Sequence, residues 1–282
     1  MSRVAFLIHY NSKEREQNRA LLREVLESNQ TPCYELVKQP TIKKARFTLI
    51  ARVVVLVHEI SKMTFYTWYR ISIKKLTISE ATRWYLKELT LAVKNSLLKT
   101  NAWVSAEFRR IELERILKNK HLQAWSQFMA SSKAWLMVLE DDAEVLPSSH
   151  ARMTKIHQGQ WEQILQSTHI YIDLAGGFSA KEVVTLNRID EHLKEKFYVS
   201  SHISTNTTCA YMASRKLVSM WASAYQKSGP FVKLLPVDHL INALALKTVG
   251  QHRCASVHWI KPIFAHGSMT GSMPTMLHRS LL

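Results

Sequence analysis

The chain has 282 residues, of which 46% are apolar, and carries 38 Lys and Arg against 22 Asp and Glu, a net charge of +16. This composition excludes a disordered tail, a collagen and a disulfide-stabilised miniprotein, and predicts a folded core. No uncharged apolar run reaches the 18 or so residues that a membrane span needs, and the apolar start is too short for a signal peptide. Three widely spaced cysteines indicate reduced thiols, as in a cytoplasmic protein.

In chain order, the pattern predicts strands at 4–9, 33–37, 134–139, 168–174 and 256–264. Helices are predicted over 12–28, 78–98, 105–130, 151–167, 214–225 and 240–248, the first capped by Ser12 and the second opened by a capping box of Thr77 and Glu80. Alternation of helices with continuous apolar strands favours an α/β domain with a mostly parallel or mixed sheet. We expect one domain over 1–282.

Residues 38–100 form a distinct basic, aromatic-rich segment, predicted to be a helical insertion. The segment holds 13 Lys and Arg but three acids, mixed with large apolar side chains. Basic and interfacial aromatic residues together are typical of a helix on an anionic membrane surface, although a solvated basic face over an ordinary core has the same composition. Nucleic acid also binds such patches, but no nucleic-acid-binding motif is recognisable, so we expect a membrane partner and no nucleic acid.

Two adjacent aspartates, Asp141 and Asp142, come directly after the most hydrophobic predicted strand, with Glu140 before them. Ligands of parallel α/β sheets bind at the carboxyl ends of strands, and adjacent carboxylates there favour a divalent cation such as Mg²⁺ or Mn²⁺. A solvated acidic turn is the alternative. All seven glycines lie at or after residue 159, which excludes a glycine-rich nucleotide loop near the first strand.

The acidic segment "AWLMVLEDDAEV" (134–145) resembles the metal- and nucleotide-binding motif of glycosyltransferase family 25, which includes lipopolysaccharide-type transferases with a GT-A fold. Four further segments are similar to that family. They are Ile8 to Asn11 with Arg15 and Arg19, His121 with Trp125, "TNTTCAYMASRKLVSMW" (205–221) and "PVDHLIN" (236–242). The basic segment 38–100 is longer than the family pattern.

The resemblance implies transfer of a sugar from a nucleotide-sugar, expected to be UDP-linked, to a growing surface glycan or lipid-linked acceptor. Asn11, Glu140, Asp141, Asp142 and Lys261 would then bind the donor. Asp141, Asp142 and His266 would hold the cation, since GT-A enzymes often bring a C-terminal histidine to the metal. We expect the enzyme in the cytoplasm, peripheral at the inner membrane face.

An inverting transfer needs a general base, and Asp238 is the first candidate because it is the only acid from residue 196 to residue 282. A helix N-cap or an ion-pair role for Asp238 remains equally open. Asp173, at the end of another predicted strand, is the rival base or an acceptor-binding residue. Two other functions remain open: a basic membrane- or nucleic-acid-binding protein without catalysis, and a metal-dependent nucleotidyltransferase.

Overall fold

The structure is a computed structural model. It describes residues 2–9, 12–37, 48–72, 76–159, 161–176, 186–190, 195–200, 203, 205, 208–247 and 254–267. Within these ranges the chain is an α/β protein, as its sequence pattern predicts. The strands are β1 (Arg3–His9), β2 (Cys33–Val37), β3 (Trp135–Glu140), β4 (Ala143–Val145), β5 (His169–Asp173), β6 (Leu186–Asp190), β7 (Glu195–Ser200), β8 (Ala210–Ser214), β9 (Cys254–Trp259) and β10 (Phe264–His266).

A short 3₁₀ turn over Lys13–Arg15 precedes the first helix. The helices are α1 (Glu16–Ser28), α2 (Thr48–Ser72), α3 (Ile78–Leu98), α4 (Asn101–Ala130), α5 (Ser149–Gln158), α6 (Trp161–Leu165), α7 (Arg215–Gln226), α8 (Pro230–Leu234) and α9 (Val237–Leu246).

Eight strands form one mixed sheet in the order β2-β1-β3-β8-β5-β9-β7-β6. Strands β1, β2 and β3 are parallel to one another, and β5 is parallel to β9. Strand β8 lies antiparallel between β3 and β5, and β7 is antiparallel to both β9 and β6. The carboxyl ends of β1, β3, β5 and β9 therefore lie at one edge of the sheet, where β8 begins.

The apolar core lies on both faces of this sheet. In β1, Ala5 and Leu7 pack on the face covered by α1, α5 and α6, while Phe6 and Ile8 pack on the face covered by α4, α7 and α9. A strand covered on both faces buries every side chain, which explains why β1, β3 and β8 are apolar without alternation.

The described part of segment 38–100 is helical. Helix α2 packs against α3, α4 and α9, and α3 packs mainly on α2. The Thr77 side chain accepts the Glu80 N–H while the Glu80 carboxylate accepts the Thr77 N–H, so the predicted capping box begins α3. The ends of the two helices are joined by Arg52, whose guanidinium donates to the carbonyl oxygens of Ser96, Leu97 and Lys99.

Two details of the predicted helices are wrong. The helix expected over 151–167 is broken into α5 and α6, because the Trp161 indole N–H donates to the Ile156 carbonyl and its ring lies 3.0 Å from where a Cβ of Gly159 would stand. Ser12 does not cap the first helix with its side chain; its backbone carbonyl instead accepts from Arg15 and Arg19.

Candidate functional site

The acidic triplet, which comprises Glu140, Asp141 and Asp142, lies at the carboxyl edge of the large sheet. Glu140 is the last residue of β3, and its N–H donates to the carbonyl oxygen of Cys209, directly before β8. Asp141 donates its N–H to the Ile8 carbonyl at the end of β1. Because β1 and β8 flank β3, both neighbouring strands fix the backbone of the triplet, and its three carboxylates point to different partners.

Asp141 faces two buried arginines. Arg15 Nη1 donates to Asp141 Oδ1 over 2.5 Å, and Arg19 Nη1 lies 3.8 Å from Oδ2. The Asn18 amide donates to the backbone carbonyls of Asp141 and Ala143 at 3.1 and 2.9 Å. The start of α1 therefore holds the acidic turn in place, and the Asp141 carboxylate, only 2% exposed, is used for this purpose.

Two side chains of types that bind metals, the Cys209 thiol and the His266 imidazole, lie close to Asp142. The Asp142 carboxylate, the Cys209 thiol and the His266 imidazole place one ligand atom each within 4.8 Å of the others. His266 Nδ1 lies 3.7 Å from Asp142 Oδ2. Burial, followed by the charges of Asp142 and Glu140, raises the pKa of Cys209 well above its usual value. Without a cation, Cys209 is thus a neutral thiol, and a hydrogen bond joins it to Asp142.

A small second sheet brings His266 to Asp142. Strands β4 and β10 pair antiparallel, with His266 opposite Ala143, and the Gly267 N–H donates to the Asp142 carbonyl at 2.8 Å. The predicted strand over 256–264 therefore divides into β9 and β10. Residues far apart in the sequence become neighbours at this point.

Glu140 belongs to a buried polar network on the face of the sheet that α4, α7 and α9 cover. Its Oε1 accepts from the Thr208 hydroxyl at 2.8 Å and lies 3.2 Å from His121 Nε2. The other His121 nitrogen is 3.1 Å from the Tyr211 hydroxyl, which also accepts from the Trp125 indole. Burial raises the pKa of Glu140, but the hydrogen bonds and charge of these neighbours outweigh it, so that pKa is lowered.

Asp173 is 1% exposed, and its carboxylate orders a turn. Oδ1 accepts the N–H groups of Ala175 and Gly176, both at 3.0 Å, and Oδ2 lies 3.3 Å from His258 Nδ1. The intervening Leu174 carbonyl accepts the N–H groups that lead into β10. Asp173 thus orders the turn whose Leu174 carbonyl anchors the start of β10, the strand that carries His266.

Asp238 is half-buried in the first turn of α9. Neither a hydrogen bond nor an ion pair to another described residue involves its carboxylate. Helix α9 packs on the same face of the sheet as Tyr171, and the charge of Asp238 contributes to the raised pKa of the Tyr171 phenol. The adjacent His239 contacts the rings of Phe65 and Tyr66 on α2. Asp238 therefore stands where α9 meets the helical segment.

Of the two remaining residues predicted to bind the donor, Lys261 and Asn11, the structure describes only Lys261. Lys261 is exposed in the connection between β9 and β10, and its carbonyl accepts from Arg152. Asn11 lies outside the described residues. A cavity of about 660 Å³, lined partly by His169 and Arg215, opens at the opposite edge of the sheet, so its location is separate from the acidic cluster.

Sequence reasoning did not identify Cys209 as part of this cluster. The three cysteines share no spacing that indicates a metal site, and Cys209 comes to Asp142 only because β8 runs antiparallel beside β3. Its position directly before a continuous apolar strand is the available signal, but the strand's direction is needed to use it.

Among the described helices, none is long and apolar enough to cross a membrane. A comparison with models of known protein families finds no match, and no curated protein sequence matches the chain.

Proposed function

We propose that the protein is a glycosyltransferase with a GT-A-like fold that moves a sugar from a nucleotide-sugar, expected to be UDP-linked, to a growing surface glycan or lipid-linked acceptor. The observation that carries the proposal is the meeting of Asp142, His266 and Cys209 at the carboxyl edge of the sheet, directly after β3. Ligands of α/β sheets bind at such edges. The resemblance of segment 134–145 to family 25 motifs supports the same assignment.

The donor atoms of this cluster fit a divalent transition metal better than Mg²⁺. Asp142 supplies a carboxylate oxygen and His266 an imidazole nitrogen. Mg²⁺ takes oxygen ligands, whereas imidazole is a better ligand for transition metals, so Mn²⁺ is the better match of the two expected cations. When bound, the cation would act as a Lewis acid on the leaving diphosphate. The thiol of Cys209 would favour softer ions such as Zn²⁺, which the experiment below includes.

The three acidic residues take separate roles in this proposal. Asp142 and His266 would hold the cation, and Asp141 fixes the turn through Arg15. Glu140, oriented by His121 and Thr208, faces the donor.

Asp238 is the preferred general base. Its half-buried carboxylate is accessible, whereas the Asp173 carboxylate is enclosed by the turn that it orders. Asp238 takes the proton of the acceptor hydroxyl as that oxygen bonds to the anomeric carbon. The bond from this carbon to the diphosphate oxygen breaks, and its electron pair leaves with the nucleoside diphosphate.

The test measures thermal stability with UDP, GDP, CMP and ADP, each with no metal, Mn²⁺, Mg²⁺ or Zn²⁺. A ligand that binds the native state alone raises the midpoint, by about 2.7 kcal/mol of stabilisation at a hundred times its dissociation constant. We expect UDP with Mn²⁺ to raise it and Asp142→Asn and His266→Gln to abolish the metal-dependent part. Glu162→Gln, which removes an exposed carboxylate on α6, is the control and is expected to respond like wild type.

Three results would contradict parts of this proposal. A midpoint that no nucleotide shifts under any condition favours a binding protein without catalysis. A shift with Zn²⁺ alone reassigns the cation. If labelled nucleotide-sugars with glycan acceptors release pyrophosphate rather than a nucleoside diphosphate, the chemistry is nucleotidyl transfer.

A further inference from the structure

Exposed apolar side chains are concentrated on the helical segment. Of the sixteen large apolar residues that are exposed among the described residues, ten lie on α2 and α3. Leu98 and Ile78, near the two ends of α3, are 75% and 74% exposed. Single exposed apolar residues need no explanation, but a cluster of this kind marks an interaction surface.

Helix α3 provides the central part of this surface. Its fully buried residues are Ala81, Ala92 and Ser96, all small, and its larger inward side chains, such as Trp84 against Tyr66 of α2, are only half-buried. The opposite face is exposed and carries a basic stripe of Arg83, Lys87 and Lys94. These residues are four and seven positions apart, a spacing that puts them in one row along a helix.

Leucines flank the basic stripe on both sides. Leu86 and Leu97 lie along one side of it, and Leu91 and Leu98 along the other, all of them exposed. Of the two acids of α3, Glu80 closes the capping box in the first turn, where the charge of Arg83 acts on it, and Glu88 is half-buried, so beyond the first turn of α3 no exposed acid lies on this face. The outer face of α3 is therefore apolar and basic at once.

The first turns of α2 extend the surface. The bonds from Arg52 join the first turns of α2, where Leu49 and Ile50 are more than half exposed, to the end of α3 that carries Leu97 and Leu98. The sequence next to the two helices continues the charge, because residues 38–47 and 73–75 contain six Lys and Arg and no acid.

We propose that this face, defined as Arg83, Lys87 and Lys94 with the leucines beside them and the start of α2, binds the surface of an anionic lipid bilayer. The basic side chains would pair with lipid phosphates while the leucines enter the boundary between headgroups and acyl chains, as amphipathic helices do. Nucleic acid is a poorer match, because leucines offer no stacking platform for bases. The proposal is independent of the sugar-transfer proposal, since it uses no residue of the candidate site.

The experiment measures binding of the full chain to vesicles of phosphatidylcholine, with and without about a third of phosphatidylglycerol, by sedimentation at rising salt. Each basic residue close to an anionic surface strengthens binding about fivefold, so the triple change Arg83→Gln, Lys87→Gln, Lys94→Gln is expected to weaken it about a hundredfold. The control triple, Lys216→Gln, Lys227→Gln, Lys233→Gln, removes the same charge from exposed positions on α7 and α8 and after α7.

The apolar part has its own variant, Leu86→Gln with Leu97→Gln. Both side chains are exposed, so the fold is expected to stay intact by circular dichroism. Loss of each leucine that enters the lipid is expected to weaken vesicle binding about tenfold while leaving binding to heparin or an oligonucleotide unchanged.

The membrane proposal is overturned if the control triple weakens vesicle binding as much as the stripe variant does. It is also overturned if the leucine variant binds vesicles like wild type. Binding would then depend on charge alone, which would indicate that the face binds a polyanion such as nucleic acid. Failure to bind anionic vesicles at low salt overturns it directly. The nucleotide shifts described above are unaffected by any of these outcomes, so the two proposals fail separately.

Discussion

Neighbouring aspartates in the acidic triplet are expected to respond in opposite ways to the same substitution. Asp141→Asn removes the carboxylate that Arg15 contacts at 2.5 Å and Arg19 at 3.8 Å, and leaves two buried guanidinium groups without it. Removing one partner of a buried ion pair costs about 3–5 kcal/mol. Because Arg19 keeps its hydrogen bond to the Ser12 carbonyl, we expect the lower value, about 3 kcal/mol.

Asp142→Asn is the matched control, since it makes the same change at the next residue. Its ion pair with His266 spans 3.7 Å and exists only when the imidazole is protonated, and the asparagine amide oxygen can still accept from the Cys209 thiol, so we expect only about 1 kcal/mol of lost stability. The metal-dependent nucleotide shift should show the reverse pattern, being lost in Asp142→Asn and kept in folded Asp141→Asn. Urea unfolding monitored by circular dichroism gives the free energies, and thermal shifts give the binding.

Equal loss of stability in the two variants would contradict these separate roles, as would a fully folded Asp141→Asn variant that has lost metal-dependent binding. A double-mutant cycle with Arg15→Gln separates the pair itself from its surroundings. We expect a coupling energy of about 2–3 kcal/mol, and a value near zero would show that the contact at 2.5 Å does not stabilise the turn.

Three further predictions concern other parts of the fold. Gly176 has a φ of +66°, and a Cβ there would meet Pro262 at 3.1 Å, so Gly176→Ala should cost about 1–2 kcal/mol or more in urea unfolding; an unchanged midpoint would contradict this. Burial lowers the pKa of His157 to about 3. Since the unfolded chain binds this proton below about 6.5, stability falls as pH falls from 6.5 towards 3; His157→Gln should remove up to about 1.4 kcal/mol of this loss per pH unit, measured by unfolding across that range. Thr77→Ala removes the cap of α3 and should cost about 1 kcal/mol and speed amide exchange in the first turn, whereas Thr82→Ala in the same helix should not.

Elements that depend on local signals were predictable from the sequence. The capping box of Thr77 and Glu80 is a local device, and α3 spans the predicted residues 78–98. Strands β1 and β3 follow from short apolar runs. The direction of β8 is different, because a buried strand has the same composition whichever way it runs, and only pairing with β3 and β5 decides it.

The candidate site was predictable in part for the same reason. Asp142 follows an apolar strand, which indicates the edge where it lies, whereas the distance of 3.7 Å between its carboxylate and His266 arises from the pairing of β4 with β10. Asp141 instead contacts Arg15 and Arg19, and the distance of these two arginines from the triplet is set by how α1 packs on the sheet. Cys209 depends on strand order, which no local pattern contains.

The pairing of β4 with β10 has a consequence for how the candidate site opens and closes. Three residues on each strand hold this ladder, whereas the large sheet beneath it is buried on both faces. A ladder of three residue pairs, four of whose six residues are only partly buried, opens with a lower free energy than a core that is buried on both faces. Local unfolding of β10 would carry His266 away from Asp142 and leave the eight strands in place. A ligand that bridges these two side chains would therefore lock one end of the chain onto its middle, and amide exchange at Ala265 and Gly267 would report how firmly it does so.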